Sequence, residues 1–126
     1  MSVPNNLLYT EDHEWILIDG DEATIGITDY AQGELGDIVM VEGMPVGTRF
    51  EKGDSLGSIE AVKATADVYA PLSGEILDVN SALEDDPQLI NHDPFEGGWI
   101  VRVRISNKAE LDDLMSPDEY DEQVSD

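Results

Sequence analysis

Ser55-Leu56-Gly57-Ser58-Ile59-Glu60-Ala61-Val62-Lys63-Ala64-Thr65-Ala66-Asp67-Val68-Tyr69-Ala70 is the stretch on which the fold turns. Residues 55–61 and 65–70 read as two short strands, and Lys63 falls between them at the tip of a hairpin. Lys63 is one of only three lysines, with Lys52 and Lys108, and its neighbours are apolar or acidic. An ordinary lysine has a pKa of about 10.4, and carboxylates such as Glu60 and Asp67 hold its proton on. It is therefore a poor nucleophile unaided. A dedicated ligase carrying an activated acyl group could still acylate it, and a tight tip would present it to such an enzyme. The other reading is a plain surface lysine in a turn; spacing leaves both open.

Outward from this hairpin the pattern stays β-rich. His13–Ile18 and Ala23–Thr28 read as a hairpin joined by the turn residues Asp19-Gly20-Asp21. Asp29–Leu35 reads as a short helix capped by Asp29, with Gln32 three residues on, and Gly36 ends it. Asp37–Glu42 is a strand with an apolar middle, and residues 43–54 are dense in turn signals. Pro71–Gly74 reads as a turn and Glu75–Asn80 as a strand. Ser81 with Glu84 predicts a capping box and a short helix. In Trp99–Ile105 the apolar residues Trp99, Val101, Val103 and Ile105 alternate with Arg102 and Arg104. Helix starts are predicted at Asn107 with Glu110 and at Ser116-Pro117-Asp118-Glu119. Leu111, Leu114 and Met115 supply an apolar stripe. Residues 1–6 and those from about Asp121 are expected to fray. Residues 37–45 and 67–74 resemble each other loosely, hinting at a pseudo-twofold sandwich. Many short strands with frequent turns point to a small barrel or sandwich in a single domain spanning residues 1–126.

Composition narrows the function. The chain has 126 residues, 29 Asp and Glu against 6 Lys and Arg, and a formal charge of −23. Such acidity disfavours nucleic acid and anionic membrane as partners and resists self-association, so a monomer is expected. It suits either a partner with basic docking surfaces or a high-salt cytoplasm. No apolar run approaches a membrane span, and Met1–Asn6 shows no targeting signal, so a cytoplasmic protein is expected. The absence of cysteine removes disulfides, thiolate metal sites and cysteine nucleophiles. His13 and His92 are the only histidines, and they do not form a metal-ligand pair. Asp85-Asp86 reads as solvated acid, His92 as a turn residue, and His13 as structural or channel-lining rather than as a base.

The residues Glu60-Ala61-Val62-Lys63-Ala64 and Pro71-Leu72-Ser73-Gly74 are similar to the lysine hairpin of lipoyl and biotinyl carrier domains. Val62 and Ala64 depart from the methionines that usually flank a biotinyl lysine. Tyr9–Trp15, Ala23–Ala31, Leu35–Val39, Asn91–Pro94 and Gly98-Trp99 together resemble the glycine cleavage system H protein family, in order, from about Leu7 to Tyr120. Ala61 and Ala70 depart from its commoner wording, and neither changes the lysine or its expected acidic partners.

The resemblance implies a lipoyl/biotinyl-type barrel-sandwich hybrid with short helices and a helical C-terminal tail. It implies lipoate held by an amide to Lys63, in a shuttle that is not itself an enzyme. The shuttle would move an aminomethyl group from a pyridoxal-phosphate glycine decarboxylase to a tetrahydrofolate-dependent aminomethyltransferase, with a dihydrolipoyl dehydrogenase reoxidising the arm. A lipoyl ligase or transferase would load it. The cargo ends in a cationic amine, which a water-excluding cleft with acidic partners would protect. By position Glu14 and Asp67 are the expected partners, with His13 and Asp12 nearby, while Trp15 and Trp99 belong to the core. The alternatives are a related protein relaying lipoyl groups to other lipoate-dependent enzymes, and an acidic binding module with unmodified Lys63.

Overall fold

The computed structural model describes residues 4–124. Its strands are β1 Leu8–Tyr9, β2 Glu14–Asp19, β3 Glu22–Ile27, β4 Ile38–Gly43, β5 Arg49–Phe50, β6 Ser55–Ala61, β7 Thr65–Tyr69, β8 Gly74–Val79 and β9 Val101–Ile105. The helices are α1 Asp29–Leu35, α2 Ala82–Asp85, α3 Leu89–His92 and α4 Pro117–Val124, with a 3-10 helix at Lys108–Asp113. The strands form two antiparallel sheets: six strands in the order β1-β2-β3-β9-β8-β5, and three in the order β4-β6-β7. The chain is thus mainly β, as expected, and its sheets are not closed into a barrel. The expected pseudo-twofold does not appear. β4 and β7, which carry the two similar segments, flank β6 within the same small sheet rather than facing each other from two equivalent ones.

Period-two patterning explains most of the core. Val101, Val103 and Ile105 are buried while Arg102 and Arg104 point to solvent. Ile16 and Ile25, paired across β2 and β3, join Ile76, Val103, Leu56, Ile59 and Val68 in one cluster. Each such side chain contributes roughly 1.5–3 kcal/mol when fully buried. Alternation fails in β2, where Glu14, Trp15 and Ile16 are all buried. Here the sheet is covered on both faces: a second cluster of Leu7, Tyr9, Trp15 and Tyr120 packs α4 against the first strands. Gly26 makes this possible, since a Cβ there would sit 2.6 Å from the Trp15 ring. Trp15 is core, as expected, whereas Trp99 is only partly buried beside it. In β4 only Ile38 is buried, and Val39 and Met40 face solvent.

Local signals fared unevenly. The Ser116 capping box closes both ways, Ser116 N–H to Glu119 Oε1 at 2.9 Å and Glu119 N–H to Ser116 Oγ at 3.2 Å. Helix α1 is capped one residue before Asp29: Thr28 Oγ1 accepts the Ala31 N–H at 3.2 Å, and Asp29 instead accepts from Gln32 Nε2 at 2.8 Å. Ser81 is already helical (φ −64, ψ −21), so Asn80 Oδ1 takes the Ala82 N–H in its place. Asn107 caps its helix, but Glu110 accepts from the Ser73 N–H and hydroxyl instead of closing the box. The turn-rich stretch 43–54 contains the short strand β5, and His92 ends helix α3 rather than a turn. Helix α4 continues through residues 121–124, where fraying was expected, while residues 1–3 and 125–126 lie outside the described range.

Candidate functional site

β6 and β7 pair as Ser58↔Asp67, Ile59↔Ala66 and Glu60↔Thr65. The Ala61 N–H donates to Ala64 O at 2.8 Å and closes the turn on Val62 and Lys63. Two-residue hairpin loops favour residues with positive φ, such as Asn-Gly. Neither Val62 nor Lys63 has positive φ, so this tip does not match the strand twist by its own conformation. It is held from outside, by the Val62 N–H donating to Asp37 O at 3.0 Å. Val62 itself is 76% exposed, so the tip is anchored by backbone and not by burial.

The anchor is in turn fixed by Asn91 of α3. Its Nδ2 donates to Gly36 O at 2.8 Å and to Gln32 Oε1 at 2.9 Å, and its Oδ1 accepts the Ile38 N–H at 2.9 Å. Asn91 therefore grips the backbone on both sides of Asp37. Sequence reasoning quoted Asn91 only as part of a motif and assigned it no task. Gly36, with φ 80, ends α1 by donating its N–H to Gln32 O. The Lys63 stem lies across Gly36, and a Cβ there would sit 3.0 Å from Lys63 Cε. Gly36→Ala is thus expected to cost about 1–3 kcal/mol, because φ 80 with ψ −155 is a backbone conformation essentially confined to glycine, and to displace Lys63. Urea unfolding measures the first effect, and the chemical shifts of the Lys63 side chain report the second.

Beside the tip, β2, α1 and β7 enclose a cleft of about 300 Å³ lined by His13, Glu14, Tyr30, Leu35, Ala66 and Asp67, among others. Two larger depressions, of about 710 and 530 Å³, contain neither Glu14 nor Asp67, although Asp12 lines the second of them. The smaller cleft is the chemically distinctive one because of Glu14. That carboxylate is 2% exposed and no cation pairs with it among the described residues. It accepts from the Thr10 hydroxyl at 2.7 Å and from the Tyr69 N–H at 3.0 Å. Burial pushes its pKa up to about 7; these two hydrogen bonds oppose the rise, and nearby Asp12 adds to it.

Asp67 lines the same cleft but is exposed, so it lies at the rim while Glu14 lies at depth. His13 is half-buried and has φ 68, an uncommon conformation for a non-glycine residue. Its ring lies 4.5 Å from that of Tyr30, and its Nδ1 is 2.8 Å from Tyr120 Oη. Burial lowers the His13 pKa, against the pull of Asp12 and Glu34. The fold thus gathers His13, Glu14 and Asp67 in one cleft whose Leu35 wall adjoins Gly36, the residue the Lys63 stem crosses. Tyr30, Glu34 and Tyr120 belong to the same neighbourhood and carried no sequence signal. His92 and the Asp85-Asp86 pair are exposed and lie outside it.

With this geometry in place, comparison with known proteins is informative. The family described as "Glycine cleavage H-protein" matches residues 7–126. The glycine cleavage system H protein of Staphylococcus haemolyticus is 48% identical over 124 residues, covering 98% of both chains. That of Chlorobaculum parvum is 52% identical over 122 residues, covering 95% of each. The crystal structure of a glycine cleavage system H protein from Mycobacterium marinum superposes with a TM-score of 0.88 at 37% identity, covering 98% of this chain and 99% of that one.

Proposed function

This chain belongs to the glycine cleavage H-protein family, and we propose that Lys63 is the residue through which it carries lipoate. Its function is that of the lipoyl-carrying shuttle of the glycine cleavage system. The observation that carries the site assignment is one juxtaposition. An exposed lysine without an ion pair among the described residues stands on a pinned hairpin tip. Next to it opens a cleft whose floor holds a buried acid with no counter-ion.

These residues fit the group. Lys63 would hold it by an amide, and Leu35, Ala66 and Val68 offer it an apolar wall. When bound, lipoate supplies a disulfide that takes up the aminomethyl cargo and is regenerated by oxidation of the dithiol. The chain's own residues do three things. The Asp37–Val62 hydrogen bond and Asn91 set where the tip stands. Filled by the arm, the cleft would shield the cargo from water. Glu14 offers a carboxylate that a cationic amine would draw into its ionised form, because an opposite charge at short range favours ionisation. Asp67 supplies a second carboxylate at the rim.

The protein works with the enzymes of its system. In this reading these are the pyridoxal-phosphate glycine decarboxylase, the aminomethyltransferase and the dihydrolipoyl dehydrogenase, after loading by a lipoyl ligase or transferase. The chain is a carrier and not a catalyst, acts as a single unit over residues 1–126, and works as a cytoplasmic monomer. None of its described helices is long and apolar enough to cross a membrane. The test is the mass of the Lys63 peptide from protein made under lipoate-sufficient growth. One lipoyl amide on Lys63 is expected; an unmodified peptide would leave only an acidic binding module.

A further inference from the structure

We infer that Tyr120 and Thr28 hold His13 as the neutral imidazole with its proton on Nε2, so that the cleft beside Lys63 gains no cation of its own. Thr28 is fully buried. Its hydroxyl oxygen accepts the Ala31 N–H at 3.2 Å, which is the cap of α1. Among the described residues its own proton has one acceptor within reach, Tyr120 Oη at 2.6 Å. Were the direction reversed, the Thr28 proton would be stranded in a buried site, which native structures avoid. Thr28 therefore donates to Tyr120.

Tyr120 then places its own proton on its second hydrogen-bond partner, His13 Nδ1 at 2.8 Å. Nδ1 must be bare to accept it. A neutral imidazole with a bare Nδ1 carries its proton on Nε2. In imidazolium both ring nitrogens donate. Protonating His13 would turn the Tyr120 proton away and strand the one on Thr28. The charged groups around the ring pull the other way: Asp12 and Glu14 from β2 and its lead-in, Glu34 from α1, and Asp67 from β7. Tyr120 from α4 is neutral at working pH because burial raises its pKa, and burial of the His13 ring opposes protonation. Asp12 and Glu34 draw the ring toward the cation, burial outweighs them, and the relay acts in the same direction as burial.

The consequence for the cargo rests on the carrier reading: a second cation in the cleft would compete with the cargo's amine for Glu14. Tyr120 is then a positioning residue acting through His13 from 107 residues away in sequence. It also ties the C-terminal helix to the cleft wall, since its ring stacks on Tyr9 with centroids 4.5 Å apart.

The tautomer itself is testable on the unmodified chain, whether or not Lys63 is ever lipoylated. Long-range proton–nitrogen NMR on the ¹⁵N-labelled full-length protein reads the protonation of each His13 nitrogen. The expected result near neutral pH is a single neutral species protonated on Nε2. Tyr120→Phe keeps the stack on Tyr9 and removes the hydroxyl. It is expected to erase the single-tautomer signature, so that both neutral forms appear, and to move the His13 titration midpoint upward. Protonation on Nδ1 in the unmutated chain would overturn the inference, and that measurement needs no variant to fold. So would a folded Tyr120→Phe chain whose His13 signals and midpoint are unchanged.

Discussion

Lys63→Arg is expected to abolish lipoyl loading completely while leaving the stability of the chain within about 0.5 kcal/mol of the original. The two halves of this expectation have separate causes. A guanidinium stays protonated under all working conditions and cannot be acylated as an amine can. The side chain is exposed, makes no ion pair among the described residues, and its methylenes cross Gly36. An arginine stem can make that same crossing. Intact-mass analysis after incubation with a lipoyl ligase measures the first half, and urea unfolding the second. A variant that still supports glycine cleavage with the partner enzymes would end the assignment of Lys63.

Glu14→Gln is expected to stabilise the empty chain at pH 8 by about 2 kcal/mol and at the same time to weaken the hold on the cargo. The native pKa of Glu14 is about 7, above the ordinary 4.5 that applies when the chain is unfolded. Between those values the native state binds more protons than the unfolded state. The favourable contribution of the protonated group is therefore fully present below about 4.5 and is lost as pH rises through about 7, a cost of ~3 kcal/mol at alkaline pH. Glutamine keeps the shape. Its carbonyl can accept the Tyr69 N–H and its amide can donate to Thr10 Oγ1, while the part-buried Thr10 turns its own hydroxyl proton to solvent. The stability profile from pH 4.5 to 8 should flatten in the variant. Loss of one charge-assisted contact to the cargo amine should speed hydrolysis of the loaded protein roughly tenfold. Adding Asp67→Asn should add less, because Asp67 is exposed and water screens it. An unchanged pH profile together with unchanged hydrolysis would make Glu14 a bystander. In this reading Glu14 is an acid kept at a cost in the empty protein, and the arriving cation offsets that cost.

The sequence and the structure agree where the interactions are short-range. The alternation Val101-Arg102-Val103-Arg104-Ile105, the turn at Gly20 and the reciprocal box of Ser116 and Glu119 each involve neighbours within a few residues. Local agreement was broken where a side chain had a better partner elsewhere. Glu110 was drawn to Ser73, and Asp29 to the Gln32 side chain. The apolar run of β4 suggested a buried strand, but three strands cannot cover both of their own faces, so Val39 and Met40 remain exposed.

By itself the sequence determined that Lys63 sits at a hairpin tip, because strand periodicity and turn chemistry are encoded in adjacent residues. It also pointed to Glu14, Asp67 and His13 as neighbours, through the order of several separate motifs. What only the tertiary structure decided is how those residues differ. Glu14 is buried because it shares the Ile16 face of β2, where Thr10 and the backbone of β7 close over its carboxylate, while Asp67 stays at the rim. The tip is anchored by Asn91 through a loop 53 residues away in sequence, and His13 is held by Tyr120 at a separation of 107. Burial, pKa and the direction of a hydrogen bond depend on which groups pack together in space, and no local pattern of residue types carries that information.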